Sequence, residues 1–147
     1  MLVRTNHHNE AFQKLVNQLD TELAITDGED HDFYHQFNGI KKLNYVILFM
    51  VEDQAVACGA IKKYDNSSME IKRMYTLPNY RGRGIAYKIL DELESWAKEL
   101  EYQNCILETG KRQYSATKLY EKAGYQLTDN YAQYIGMENS LCFKKTI

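Results

Sequence analysis

The amino-acid sequence predicts a mixed α/β fold in a single domain that spans residues 1–147. Apolar runs of strand length alternate along the chain with stretches in which apolar residues recur at helical spacing. The middle of the chain reads as a strand, a long helix and a second strand, an order typical of a parallel crossover. The 147 residues are 44% apolar and contain no internal repeat or linker, so one domain with its own core is expected.

The N-terminal part predicts a short strand followed by a helix. Residues 2–5 form the candidate first strand. After Asn9, apolar side chains recur at the spacing of one helix face, at Phe12, Leu15, Val16, Leu19 and Leu23. The acidic residues 27–32 then interrupt this pattern.

Two buried strands and a more polar third strand follow. Residues 45–51 and 55–61 are nearly continuous apolar runs, and the connection through residues 52–54 has the length of a hairpin. Turn-forming residues at 65–68 lead into an extended segment at residues 70–77, which ends at Pro78.

The second half predicts a helix, a strand, a shorter helix and a last strand. The long helix begins near Gly84 and carries its apolar residues on one face: Ile85, Ala86, Ile89, Leu90, Leu93, Trp96, Ala97 and Leu100. Residues 105–109 form the next strand, parallel to residues 70–77 through a right-handed crossover. Residues 116–123 form the shorter helix, which Gly124 ends, and residues 141–145 form the last strand.

The loop that precedes the long helix has the features of an anion site. Gly82 and Gly84 allow positive φ and a close backbone approach, so several amide N–H groups can point at one anion. The start of the helix adds the positive end of its dipole, which makes pyrophosphate a natural ligand. A glycine pair that merely turns the chain is the alternative for the loop taken alone.

Two linked motifs resemble the GNAT superfamily of acyl-CoA-dependent N-acyltransferases. The loop fits the pattern Gln/Arg-x-x-Gly-x-Gly/Ala through Arg81, Gly84 and Ala86, and residues 77–81 read Leu-Pro-Asn-Tyr-Arg. Residues 113–125 are similar to the superfamily's segment Asn-x-x-Ala-x-x-Leu-Tyr-x-x-x-Gly-Phe/Tyr. The resemblance runs from about residue 55 to residue 125.

The resemblance implies a fold and a cosubstrate. The expected fold is a mostly antiparallel sheet with helices on both faces and one parallel pair of strands splayed apart around the acyl-CoA site. Backbone groups of Met74 and Thr76 would pair with pantetheine amides of acetyl-CoA, and Gln113 would contact the pantetheine where the superfamily often has asparagine. The pyrophosphate would be held by the backbone of Arg81, Gly82, Arg83, Gly84, Ile85 and Ala86.

The resemblance also implies two catalytic side chains. Tyr120 falls on the tyrosine that protonates the departing thiolate in many members, as a phenol with a pKa near 10 can do at neutral pH. A core tyrosine is the alternative. Glu70 stands where some members place the glutamate that deprotonates the amine; a glutamate on a solvated strand edge is the alternative. The amine would attack the thioester directly while the backbone N–H near Met74 polarises the carbonyl.

Features that point to the acceptor are fewer. The carboxylates of Asp27, Glu29, Asp30 and Asp32 could attract a cationic amine, or they form a solvated charged run. The polar and aromatic residues 130–139 predict a loop that walls the acceptor pocket, covers the sheet or meets a second subunit in a homodimer. An amine acceptor, either a small molecule or a peptide, is expected without further definition.

The composition of the chain narrows the range of binding partners, bound metals and cellular locations to be expected. A net charge of −2 gives no basic footprint for nucleic acid, and no apolar run has the roughly 20 residues that span a membrane. The cysteines at positions 58, 105 and 142 form no Cys-x-x-Cys pair and no disulfide framework, which favours the cytoplasm. His31 and His35 lack a glutamate-bearing zinc motif, so no metal is expected.

Two other functions remain open at this level. A module that senses acyl-CoA without turning it over would share the loop, although Tyr120 argues against it. A dinucleotide-binding domain would also carry a glycine loop, but its Gly-x-Gly-x-x-Gly pattern is expected directly after the first strand. Here the loop at residues 81–86 follows several strands and has a different pattern.

Overall fold

The structure, a computed structural model, describes residues 1–36 and 39–147, in which seven strands form one sheet with the spatial order β1-β2-β3-β4-β5-β7-β6. The only parallel pair among these strands is β4 with β5. The mixed, mostly antiparallel sheet is therefore confirmed. The strands are β1 (Leu2–Thr5), β2 (Tyr45–Val51), β3 (Gln54–Lys63), β4 (Ser68–Thr76), β5 (Asn104–Gly110), β6 (Gln126–Thr128) and β7 (Ser140–Thr146).

Helices cover both faces of the sheet. They are α1 (Glu10–Asp27), α2 (His31–His35), α3 (Ile85–Glu99) and α4 (Tyr114–Lys122). Helix α1 starts where the Asn9 side chain accepts a hydrogen bond from the amide of Phe12 over 3.2 Å. Phe12 of α1 packs in one core cluster and Ile89 of α3 packs in another on the opposite face.

A β-bulge in β4 interrupts the regular pairing of this strand with β3. The pairing of β3 with β4 shifts register between Cys58 and Ala60, and Arg73 has a φ of 58° in β4. The Arg73 side chain is 2% exposed and lies 2.5 Å from the Asp20 carboxylate on α1. Gly59 lies inside this shift, and a Cβ there would approach Met74 Sδ to 2.5 Å. The bulge therefore depends on the missing side chain at Gly59.

Most predicted elements are present, with shifted ends. Strand β6 was not predicted, because it has only three residues, Gln126–Thr128, and all of them are exposed at the edge of the sheet. Helix α4 begins at Tyr114, earlier than the predicted residue 116. Gly124 follows α4 with a φ of 95°, the left-handed conformation expected of a residue that ends a helix.

Candidate active site

Strands β4 and β5 diverge after a short paired stretch. Their parallel pairing covers Ser68 to Glu70 on β4 and Asn104 to Ile106 on β5. Beyond this point β4 continues to Thr76 and β5 to Gly110 without further pairing to each other. A gap thus opens between the two strands in the middle of the sheet, as the resemblance to the GNAT superfamily implied for this pair.

Backbone groups of β4 face this gap. The Leu77 amide donates to the Val56 carbonyl of β3 over 2.9 Å, so the polar groups of the alternate positions Thr76 and Met74 point the other way. The Thr76 carbonyl accepts a hydrogen bond from Arg81 Nε over 2.8 Å, which is consistent with this direction. Thr76 and Met74, predicted to pair with an amide-bearing ligand, therefore lie at the gap.

The loop at residues 81–86 is open. Gly82 and Gly84 have φ values of 77° and 76°, and a Cβ added at either position would meet no atom within 4 Å. Among residues 1–36 and 39–147, the amides of residues 82–87 donate no backbone hydrogen bond, and the first such bond runs from Lys88 to the Gly84 carbonyl over 3.2 Å. The loop and the start of α3 thus present free N–H donors, which fit a diphosphate.

The two arginines of the loop fold away from it. Arg81 reaches back to the Thr76 carbonyl and to the Glu22 carboxylate of α1, where its Nη2 lies 3.0 Å from Oε2. Arg83 donates to the Asn79 carbonyl over 3.1 Å, and its guanidinium lies 5.0 Å from the centre of the Tyr80 ring. Side chains therefore leave the concave face of the loop clear.

A cavity of about 90 Å³ lies between β4, β5 and the C-terminal half of α1. The residues that line it include most of the predicted polar side chains of the gap. They are Leu19, Leu23, Asp27, Tyr34, Glu70, Ile71, Lys72, Arg73, Met74, Glu108, Thr109, Gly110, Gln113, Tyr120 and Tyr134. The structure thus brings Glu70, Met74, Gln113 and Tyr120 together, while the loop at residues 81–86 lies outside this cavity.

Tyr120 on α4 is buried, with 6% of its surface exposed. Its ring packs edge-on against Tyr125, with ring centres 5.9 Å apart, and its hydroxyl makes no hydrogen bond to a described residue. Burial, followed by the nearby Glu108 carboxylate, raises the pKa of Tyr120 well above its ordinary value. The hydroxyl therefore stays protonated at neutral pH and can act as a proton donor.

Glu108 is a residue that the sequence interpretation missed. Burial raises the pKa of its carboxyl to about 7, and the carboxylates of Asp27 and Glu70 contribute in the same direction. Oε2 accepts a hydrogen bond from Ser140 Oγ over 2.7 Å, which opposes the rise. A pKa near neutrality suits a group that must accept a proton at physiological pH.

Glu70 is buried rather than solvated. It is 8% exposed, so the alternative of a solvated strand edge is wrong. Oε2 accepts a hydrogen bond from the Tyr131 hydroxyl over 2.5 Å, and Lys72 Nζ lies 3.9 Å from Oε1. Tyr131 and Tyr134 both pack at this side of the sheet, where Tyr134 lines the cavity and lies within the predicted loop at residues 130–139.

The acidic stretch divides into residues inside and outside the cavity. Asp27 lines the cavity, and burial raises the pKa of its carboxyl. Asp30 accepts a hydrogen bond from Asn139 Nδ2 over 2.5 Å, whereas Glu29 and Asp32 are exposed and do not line the cavity. The stretch is therefore not a uniformly solvated run.

Two further findings concern metals and membranes. His31 and His35 stack with ring centres 5.1 Å apart, and the described residues contain no cluster of three or more His, Cys, Asp or Glu side chains able to hold a metal ion. Within the same part of the chain, each helix is too short or too polar to cross a bilayer.

The chain belongs to the acetyltransferase (GNAT) family, whose model matches residues 9–125. The uncharacterized N-acetyltransferase YsnE of Bacillus subtilis is 33% identical over 97 residues, which are 65% of this chain and 64% of that protein. A crystal structure of a proposed acyl-CoA N-acyltransferase from Klebsiella pneumoniae superposes with a TM-score of 0.82 at 25% identity and covers 99% of this chain and 96% of its own.

The fold also matches a member of the family with a bound coenzyme. The PaiA N-acetyltransferase of Thermoplasma acidophilum, solved in complex with coenzyme A, has a TM-score of 0.74 at 15% identity and covers 100% of this chain and 99% of its own. Family membership and the Bacillus subtilis relative support N-acetyltransferase function, and the structural likeness to the PaiA protein supports the fold.

Proposed function

We propose that the chain transfers the acetyl group of acetyl-CoA to a primary amine by direct attack in the gap between β4 and β5. The observation that carries the proposal is the cavity at this gap, which both Glu108 and Tyr120 line. A group that can accept a proton from the amine thus stands beside a group that can donate one to the thiolate.

Acetyl-CoA binds along the backbone in this proposal. The free amides of residues 82–87 hold the pyrophosphate, and backbone groups of Met74 and Thr76 hold the pantetheine arm. The Thr76 carbonyl already accepts a bond from Arg81, but a carbonyl oxygen has two lone pairs and can accept a second donor. Gln113 lines the cavity from the start of α4 and contacts the same arm.

Glu108 is the better candidate for the general base. Only Oε2 of Glu108 is hydrogen-bonded, to Ser140, so Oε1 is available to the acceptor amine. Glu70, the base predicted from the sequence, has both carboxylate oxygens engaged by Tyr131 and Lys72. Glu70 stays a prediction that a matched pair of variants can separate from Glu108.

The reaction then needs no covalent enzyme intermediate. Glu108 takes the proton of the acceptor ammonium, and the neutral amine attacks the thioester carbonyl, which the amide of Met74 polarises. The C–N bond forms as the C–S bond breaks, Tyr120 protonates the departing sulfur, and the second proton of the attacking nitrogen restores the Tyr120 hydroxyl as the amide forms. The cysteines at positions 58, 105 and 142 are buried free thiols and take no part; free thiols also favour the cytoplasm as the location.

Release of free coenzyme A in the presence of an amine panel tests the function. Tyr120→Phe should lower kcat by about 100-fold with little change in the affinity for acetyl-CoA, because only the proton donor is lost. Tyr114→Phe, at a tyrosine that is 73% exposed and outside the cavity, is the matched control. Equal turnover of Tyr120→Phe and wild type would remove the acid role.

The two glutamates are separated in the same assay. Glu108→Gln should lower kcat more than Glu70→Gln does, because Glu108 has the free oxygen and the pKa of about 7. The reverse order would assign the base to Glu70. Binding of acetyl-CoA by calorimetry without thiol release for any amine would instead support a sensor.

A further inference from the structure

Three polar groups in the cavity have no hydrogen-bond partner within the part of the chain that the structure describes. They are the Asp27 carboxylate, Oε1 of Glu108 and the Tyr120 hydroxyl. Tyr120 is 94% buried, because its exposed fraction is 6%, so its hydroxyl can find a partner only through the cavity. Within the described residues the buried side-chain atoms without a partner are His31 Nδ1 and Arg73 Nε, so the three cavity groups are reached by solvent and are accessible to a ligand that brings donors.

The charges around the cavity leave two carboxylates without a cation. Glu70 lies 3.9 Å from Lys72, and the guanidinium of Arg73 lies 2.5 Å from Asp20. Among residues 1–36 and 39–147, neither Asp27 nor Glu108 has a cation within 4.0 Å.

Other charged groups near Asp27 do not cancel its charge by contact. Arg112 acts on Asp27 at longer range while its Nη1 donates to the Thr26 carbonyl over 3.0 Å, and His31 and Asp30 act on it with opposite signs. Lys72, which also lines the cavity, acts on Glu108 at longer range, so Asp27 is the cavity carboxylate whose charge is least compensated.

The two carboxylates stand on one wall of the cavity. Asp27 Oδ1 lies 3.8 Å from the position of a Cβ on Gly110. Gly110 and Glu108 are alternate residues of β5, so they face the same side of the sheet with Cα atoms about 7 Å apart. Two carboxylates this close together favour a short chain that carries an amino group at each end.

We propose that the acceptor is a short aliphatic diamine. One amino group gives its proton to Glu108, attacks the thioester and becomes the amide, while Tyr120 protonates the sulfur. The second amino group stays an ammonium and binds Asp27. The proposal rests on the acetyl transfer proposed above and adds the class of acceptor, which the unpaired carboxylate of Asp27 defines.

Three acceptors of similar length test whether the protein recognises a second positive charge on the acceptor. Putrescine carries two ammonium groups, n-butylamine has the same carbon chain with one, and γ-aminobutyrate replaces the second by a carboxylate. The wild-type protein should acetylate putrescine with a kcat/KM about tenfold or more above that of n-butylamine, since one ion pair of about 1.4 kcal/mol corresponds to tenfold. γ-Aminobutyrate should be the poorest of the three.

A pair of variants ties this preference to one residue. Asp27→Asn should lower the ratio of the putrescine to the n-butylamine kcat/KM by about tenfold. Asp32→Asn, at an exposed carboxylate outside the cavity, should leave the ratio as in wild type. Thermal unfolding of both variants establishes that they are folded.

The outcomes distinguish the two levels of the proposal. Equal kcat/KM values for putrescine and n-butylamine, or a ratio that Asp27→Asn does not change, would overturn the diamine while leaving acetyl transfer intact. Failure of every amine tested to cause thiol release would overturn both. A high ratio that only Asp27→Asn reduces supports the diamine.

Discussion

Ser140 Oγ lies 2.7 Å from Glu108 Oε2 and donates its proton to that oxygen. Because the single proton of Ser140 is used in this way, the Tyr34 hydroxyl, 2.7 Å from the same Oγ, must be the donor to Ser140. Tyr34, Ser140 and Glu108 thus form one directed chain from α2 to β5. The chain stabilises the ionised form of Glu108 and leaves its Oε1 without a hydrogen bond to a described residue.

Ser140→Ala should move the acid limb of the kcat/KM profile to higher pH. The hydrogen bond from Ser140 lowers the pKa of Glu108, so its loss raises that pKa from about 7. The expected shift is about one pH unit, since a hydrogen bond to a charged group contributes roughly 1.5 kcal/mol. Tyr34→Phe keeps the Ser140 donor and should shift the limb less. An acid limb that stays at the wild-type position in Ser140→Ala would contradict the role of Glu108 as base.

Glu108→Gln should lose activity and gain stability above neutral pH. In the folded chain the carboxyl has a pKa of about 7, against an ordinary value of 4.5. Between these values the unfolded chain has released the proton while the folded chain still holds it, so the folded state of the wild type loses stability as pH rises through this window. The neutral amide escapes this loss.

The measurement is the free energy of unfolding at several pH values. At pH 8 the variant should be more stable than wild type by about 3 kcal/mol, and near pH 4 the difference should shrink towards zero. Glu29→Gln, at an exposed carboxylate outside the cavity, should show no such dependence. A stability difference that does not vary with pH would mean that the Glu108 carboxyl is not raised by burial.

Gly84→Ala should weaken acetyl-CoA binding by more than its effect on folding explains. The added methyl group meets no protein atom within 4 Å, so it would crowd only a ligand on the loop. The left-handed φ of 76° makes alanine cost about 1 kcal/mol of stability. Gly136→Ala has a matching φ of 82° and equally open space, away from the loop. Calorimetry should find the affinity lowered about tenfold or more in the first variant only; equal affinities would remove the loop from the binding site.

Most of the fold could be predicted from the sequence, because the patterns of apolar residues that mark helices and strands lie within short stretches of the chain. Phe12, Leu15 and Val16 fall on one face of a helix, and the run from Ile85 marks another. Strand β6 lacked such a signal, since none of its residues is buried. Its position is set by pairing with β7, a contact between distant parts of the chain.

Residues of the candidate site could be predicted where a sequence motif marks them. They could not be predicted where their chemical properties come from packing in the fold. Tyr120 and Gly84 are recognisable from their neighbours in the chain. Glu108 is not, because its altered pKa comes from burial and from Ser140 and Asp27 on other elements. The one local sign was a carboxylate inside an otherwise apolar strand, at residues 105–109.

Gly59→Ala should destabilise the fold and disturb the gap together. A Cβ at this position would lie 2.5 Å from Met74 Sδ, 2.8 Å from Ile89 Cγ2 and 3.0 Å from Leu93 Cδ1. Ile89 and Leu93 are fully buried, so they cannot move without disturbing the core under α3. Overpacking of this kind costs about 1–3 kcal/mol.

Met74 connects the loss of stability in Gly59→Ala to the activity, because its side chain would contact the added methyl group. It lies next to the bulge at Arg73 and presents its backbone to the gap, so a displaced side chain shifts the amide that we propose polarises the thioester. Gly59→Ala should therefore lower kcat as well as the free energy of unfolding, measured by thiol release and by denaturant titration. Gly39→Ala, where a Cβ meets nothing within 4 Å, should change neither. If Gly59→Ala has the same free energy of unfolding as wild type, the core can rearrange around the added methyl group. If the variant is destabilised but its kcat is unchanged, the position of Met74 does not affect catalysis.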